Sequence, residues 1–168
     1  MCCWRIYGYP QAKNGAKLTK LRKANQSDSK SIFEWRNDEL TRQMSHTTDL
    51  IKWDEHCNWF TLSLADPNKL LVICEDEATN EKVAIVSFDV KGARALISIN
   101  VSPEFRGKGK AKTCLENSIS FFETIHSSVK FISAEIKTIN VVSQQSFLGV
   151  GFIFLKEIAG ISYYEYVI

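Results

Sequence analysis

The 168-residue sequence predicts an α/β (α+β) domain, with one mixed, mostly antiparallel sheet of about seven strands flanked by four helices. Three observations carry this expectation. Strand-like runs and amphipathic helical stretches follow one another in the order β-α-α-β-β-β-α-β-α-β-β. Two pairs of apolar runs are joined by turns short enough for antiparallel hairpins, one through the acidic stretch 76–81 and one through Ala159-Gly160. Finally, a turn rich in glycine and cation, residues 101–111, leads from a strand directly into the longest amphipathic stretch.

The elements follow in order. Residues 1–15 end in Lys13-Asn14-Gly15, carry no clear period and are set apart as an N-terminal extension or linker; the domain is placed at 16–168. The stretch 18–24 suits a first strand. Ser27 or Asp28 can cap a helix whose apolar face is Ile32, Phe33, Trp35 and Leu40. A polar loop spans 42–49, and a second helix over 53–64 spaces Trp53, His56, Cys57, Phe60 and Leu64 helically before Asp66-Pro67 stops it. Strands are expected at 70–74, 83–90 and 95–101. The third helix runs from the glycine turn to about His126, with Ala111, Cys114, Leu115, Ile119, Phe122 and Ile125 on one face. A strand over 131–136, a short helix over 140–148 ended by Gly149 and Gly151, and strands at 152–156 and 161–167 complete the chain.

Composition excludes several classes. Net charge is +2 with the basic residues dispersed, so nucleic-acid binding through bulk charge is not indicated. No apolar stretch reaches bilayer length, and the first ten residues lack a secretion-signal layout. The five cysteines form no Cys-x-x-Cys pair and stand at no metal-ligand spacing with histidine, so neither a metal site nor a disulfide frame is expected. A reduced, cytoplasmic protein follows from these readings, with no membrane partner.

The turn itself reads as an anion site. A helix start offers unpaired N–H groups and the positive end of the dipole. Gly107 and Gly109 allow close backbone approach, and Arg106, Lys108 and Lys110 add charge. An ordinary solvated Gly-Lys loop is the competing reading. The stretch matches neither Gly-x4-Gly-Lys-Ser/Thr nor Gly-x-Gly-x-x-Gly, because Ala111 follows Lys110 and a third glycine is missing.

The element order, with Arg106-Gly107-Lys108-Gly109-Lys110-Ala111 opening the third helix, resembles the GCN5-related N-acetyltransferase (GNAT) superfamily. Its Gln/Arg-x-x-Gly-x-Gly/Ala signature is met by Arg106, Gly109 and Ala111. Its second signature, a strand, an Asn and a short helix closing on Gly-Phe, is met by residues 135–140 and Gly151-Phe152. The resemblance implies acetyl-CoA as co-substrate, no metal, and direct attack by a neutral primary amine on the thioester, with the oxyanion held by a backbone N–H. It implies that Ile99, Asn100 and Val101 bond the pantetheine arm, that the turn Arg106–Ala111 holds the pyrophosphate, and that Asn140, Ser143 and Phe147 border the other side. Many relatives carry Tyr at the place of Phe147, where it can protonate the departing thiolate; Phe147 has no such proton. The phrases Glu34–Asp38 and Glu55–Phe60 resemble the branch acetylating ribosomal proteins and nucleotide sugars. Those at 88–89, 97–101 and 134–137 most resemble the enzymes acetylating a UDP-linked 4-amino sugar for pseudaminic acid, a component of glycosylated flagellin. The implied partner is a small-molecule amine, preferably a UDP-linked amino sugar, met by a monomer or homodimer. The alternatives are peptide N-terminal acetylation and a non-catalytic acetyl-CoA sensor.

Candidate acceptor residues follow from alternation. Ser87 and Asp89 share one strand face and Ser98 and Asn100 another, a polar patch that suits a polyhydroxylated acceptor or simply meets water. Glu135, mid-strand between Ala134 and Ile136, is the first choice for general base, against an ion pair with a neighbouring cation. His46 lies in the loop between the first helices and can titrate near neutrality, although a loop histidine is commonly just solvated. Arg36 can contact a nucleotide diphosphate or form a surface salt bridge. His56, Trp53 and Trp59 read as packing, and Cys114, on an apolar helix face, as no nucleophile.

Overall fold

A computed structural model describes residues 19–168. The extension 1–15, Cys2 and Cys3 lie outside the described residues. The sheet has seven strands: β1 (Thr19–Lys23), β2 (Lys69–Asp76), β3 (Lys82–Lys91), β4 (Arg94–Val101), β5 (Phe131–Lys137), β6 (Ile153–Ile158) and β7 (Ile161–Val167). Their spatial order is β1-β2-β3-β4-β5-β7-β6, with every pair antiparallel except β4 and β5. The helices are α1 (Ser29–Asn37), α2 (Glu39–Met44), α3 (Trp53–Ala65), α4 (Lys110–Ile125) and α5 (Val141–Leu148).

Helices cover both faces of the sheet, and strand composition shows it. On one face Cys114, Leu115, Ile119 and Phe122 of α4 meet Val72, Val86, Phe88, Ile97, Ile132 and Ala134. On the other, Ile32 and Trp35 of α1 and Phe60 of α3 meet Leu71, Ile73 and Ile85. A strand covered on both faces has no polar side, so β2 reads Leu-Leu-Val-Ile-Cys without alternation. Each buried large side chain contributes about 1.5–3 kcal/mol, so both layers hold the sheet.

Two boundaries differ from the sequence reading. The first helix does not continue to Leu40: at Asp38 the backbone leaves helical geometry (φ −57°, ψ 138°), and the Asp38 carboxylate accepts the Thr41 N–H at 3.0 Å to cap a new helix. There are therefore five α-helices among the described residues, and Leu40 is exposed on α2 rather than buried with α1. The polar loop expected at 42–49 accordingly begins only after Met44.

A buried ion cluster ties β1 to the helical layer. Asp28 is fully buried and accepts Arg22 Nη1 at 2.7 Å, Lys82 Nζ at 2.9 Å and the Asn25 N–H at 2.9 Å. Burial alone raises the Asp28 carboxyl; these bonds outweigh it and bring the pKa down to about 2.

Candidate active site

The turn after β4 builds its geometry from glycine. Gly107 (φ +71°) and Gly109 (φ +69°) both take the left-handed conformation that side chains resist, and Gly109 is the N-cap of α4. An added Cβ at either meets nothing within 4 Å, so the requirement comes from the backbone angle alone. The first turn of the 16-residue α4 thus presents its N–H groups to open space, beside Arg106, Gly107 and Ala111.

The strand before the turn supplies the second half of the site. β4 and β5 pair only over Arg94–Leu96 against Phe131–Ser133, after which they diverge. Beyond Leu96 the β5-facing backbone groups of β4 have no ladder partner. The gap opens into a cleft of about 640 Å³, lined on one side by Ile99, Asn100, Val101 and the turn, and on the other by Asn140, Val142, Ser143 and Ser146. Asn140 caps α5 by accepting the Ser143 N–H at 3.2 Å. Leu40, Thr41 and Met44 of α2 close the third side.

A second cavity of about 300 Å³ lies on the α1–α3 side of β3 and β4. Its walls include Arg36, Glu55, His56, Trp59, Ser87, Ser98 and Asn100. Ser87 and Ser98 are cross-strand partners with hydroxyls 2.7 Å apart. Arg36 donates from Nη2 to the Thr47 carbonyl at 2.8 Å, while its Nη1 is buried without a partner among the described residues. Burial, then the nearby Arg42, pushes the Arg36 guanidinium below its ordinary range. His56 is buried and bonds Ser29 O through Nε2 at 2.9 Å; burial lowers its pKa and the bond to Ser29 opposes the change. Asn100 lines both cavities.

The sequence matches the model of the acetyltransferase (GNAT) domain family over residues 19–153. The chain belongs to this family. It is an N-acetyltransferase with acetyl-CoA as co-substrate. A search of curated proteins finds no match. Among solved structures, spermidine N-acetyltransferase from Vibrio cholerae in complex with CoA and spermine superposes with a TM-score of 0.78 at 17% identity, covering 89% of this chain and 95% of that one. A domain from Methanocaldococcus jannaschii gives 0.76 at 20% identity, covering 89% and 98%. The dodecameric spermidine N-acetyltransferase of V. cholerae gives 0.73 at 19%, covering 89% and 93%. At these identities the likeness is one of fold.

In this acetyltransferase the residues fit acetyl-CoA: left-handed glycines, a helix start and an open strand edge line one cleft. The cationic side chains are used differently from expectation. Lys110 lines the cleft, but its ammonium pairs with Asp76, 2.8 Å distant, where its hydrogen bond holds the Asp76 carboxyl below the usual range and joins α4 to β2. Lys108 is exposed, lies over the Phe105 ring and is absent from the cleft wall; Lys112, in the first turn of α4, lines it instead. Arg106 pairs with Asp38 at 2.7 Å and donates to Thr41 Oγ1 at 2.7 Å. Phe147 does not border the cleft. It is only 2% exposed and packs edge-on against Phe152 in the α4-side core, and Ser146 takes its place in the wall.

Around the second cavity the structure brings together Arg36, expected as a diphosphate contact, with Ser87, Ser98 and Asn100, three of the four residues that alternation singled out. Glu135 and His46 meet each other instead, with His46 Nε2 3.8 Å from the carboxylate, and line neither cavity. Asp89 faces Leu96 and Lys69 at the far end of β3, its carboxylate 3.9 Å from the ammonium. His56 packs against Phe60 and Trp53 as expected, yet it also walls the second cavity, as does the half-exposed Trp59. The spacing of Glu55 and Trp59, one helical turn apart, was the signal for that wall. Asp38 and Thr41 were missed because they lay inside a stretch read as helix and loop.

Proposed function

We propose that this N-acetyltransferase acetylates the primary amine of a small acceptor that also carries negative charge, a nucleotide-linked amino sugar of the UDP-4-amino-4,6-dideoxy type. The observation that supports it is Arg36: a guanidinium whose Nη1 is buried without a partner in the wall of the second cavity. A bare buried donor costs about 1–3 kcal/mol, and a diphosphate oxygen relieves it. A polycation placed there meets that guanidinium and the adjoining Arg42 with like charge. The Ser87–Ser98 hydroxyl pair and the Trp59 face suit a hydroxylated ring and its apolar side.

Acetyl-CoA supplies the activated acetyl group; the chain supplies placement. The β4 edge and the turn hold the donor on one side of Asn100, and the second cavity holds the amine on the other. His56, its pKa lowered by burial, donates through Nε2 to the Ser29 carbonyl and forms part of the wall of that cavity.

Thiol release is measured with UDP-4-amino sugars, spermidine and ribosomal-protein N-terminal peptides as acceptors. Turnover on the UDP-amino sugar, with kcat/KM falling about 30-fold in Arg36→Ala, is expected. Turnover confined to spermidine or to peptides refutes the sugar reading.

A further inference from the structure

A hydrogen-bond chain crosses from the donor turn to the point where the two cavities meet. Arg106 Nη2 donates to Thr41 Oγ1 at 2.7 Å, and Thr41 Oγ1 donates to Asn100 Oδ1 at 3.3 Å. A guanidinium has donors and no acceptor, so the Thr41 oxygen receives from Arg106, and the Thr41 hydroxyl gives its proton to Asn100 Oδ1. Asn100 then uses its carbonyl oxygen toward α2 and keeps both Nδ2 protons for other partners. Asp38 anchors the start of the chain, holding Arg106 Nη1 at 2.7 Å while capping α2 through the Thr41 N–H. One carboxylate therefore sets both the arginine and the helix that carries the threonine.

We propose that Asn100 is a positioning residue for the acceptor, its Nδ2 oriented into the junction by Arg106 through Thr41. Its partner is an oxygen of the acceptor near the amine, a ring hydroxyl or ring oxygen in a sugar. Asn100 faces the same side of the sheet as Ser98 and, across the ladder, Ile85 of the α1–α3 core, so its amide belongs to the acceptor side while its backbone belongs to the donor cleft. The same arginine stands in the turn that receives the pyrophosphate. Donor occupancy and acceptor orientation are thus read by one chain of two hydrogen bonds. The inference rests on the second cavity being the acceptor site.

The test uses Thr41→Val, which keeps shape and loses the hydroxyl, and Asn100→Asp, which keeps the accepting oxygen and loses the donor. Kinetics are run on whichever of UDP-4-amino sugar or spermidine the wild type acetylates, so the choice of acceptor stands or falls on wild type alone. Asn100→Asp is expected to lose about 30-fold in acceptor kcat/KM, Thr41→Val about fivefold, and the double variant no more than Asn100→Asp. Acetyl-CoA affinity by calorimetry stays within about threefold in both single variants. Additive losses, or an Asn100→Asp within threefold of wild type, overturn the proposal. A readout free of any acceptor is the Asn100 side-chain amide resonance pair. It is expected to shift in Arg106→Gln, two hydrogen bonds away, and unchanged signals there overturn the chain whatever the acceptor.

Discussion

Gly109→Ala separates the two things that glycine does in the donor turn. In the protein alone an added Cβ touches nothing within 4 Å, so the cost is the left-handed backbone, φ +69°. That strain is about 1–2 kcal/mol for a residue with a Cβ, and reduced freedom of the unfolded chain returns about 0.4–1 kcal/mol. The net loss of about 1 kcal/mol lowers Tm by roughly 2–4 °C in a domain of this size. Gly92, in the β3–β4 turn, is a control within the same molecule: φ is +63°, the space is equally open, and it lies on neither cavity. Gly92→Ala is expected to lose the same few degrees. The two variants part on acetyl-CoA. On the proposed placement of the pyrophosphate, the methyl group at position 109 stands where phosphate approaches the first N–H groups of α4, and losing one charge-assisted bond there costs about 1.5–3 kcal/mol, or roughly 10–100-fold in Kd. Calorimetric titration of acetyl-CoA into both variants gives the answer. Equal affinities for the two would refute the assignment of the turn as the pyrophosphate site.

Three further outcomes follow from the geometry. Because the Asp28 pKa is depressed from 3.8 to about 2, its contribution is complete above pH 4 and lost as pH falls toward 2; Asp28→Asn should remove about 2 kcal/mol at neutral pH and flatten the acid limb of a urea-denaturation series, and an unchanged limb counts against the cluster. Phe147→Ala should cost about 3–5 kcal/mol of stability while the folded protein keeps acetyl-CoA affinity within about threefold, and lost affinity at unchanged stability would return Phe147 to the cleft. Glu135→Gln should leave kcat within about threefold because the carboxylate lines neither cavity; a hundredfold fall would place it in the chemistry.

What could be read from the sequence was whatever local chemistry dictates. The turn at Arg106–Ala111 was legible because left-handed backbone needs glycine and a helix start favours anions, both properties of adjacent residues. The seven strands were legible from their apolar runs. The fate of each lysine was not, since Lys110 meets Asp76 on β2, 34 residues away in the chain. Phe147 was misplaced because its neighbours Ser146 and Ser143 share the short helix, and one residue of helical rotation, about 100°, decides between core and cleft. The break at Asp38 hid in plain composition: Asp38 followed by Glu39 and Thr41 is also a cap signature. The meeting of Glu135 with His46 and the bare nitrogen of Arg36 depend on tertiary packing that no local pattern encodes.

The parting of β4 from β5 after three paired residues has a mechanical consequence. It leaves the carboxy-terminal portion, β5 through β7 with α5, joined to the rest of the sheet by a short strand seam, with the packing of α4 on β5 and α5 as the second attachment. A donor molecule held along the open edge of β4, as proposed above, becomes a splint between two parts of one fold. Occupancy should therefore register as stiffness far from the chemistry. Amide exchange along β5 and β7 would slow when acetyl-CoA is present, while β1 and β2, on the other side of the seam, would keep their rates.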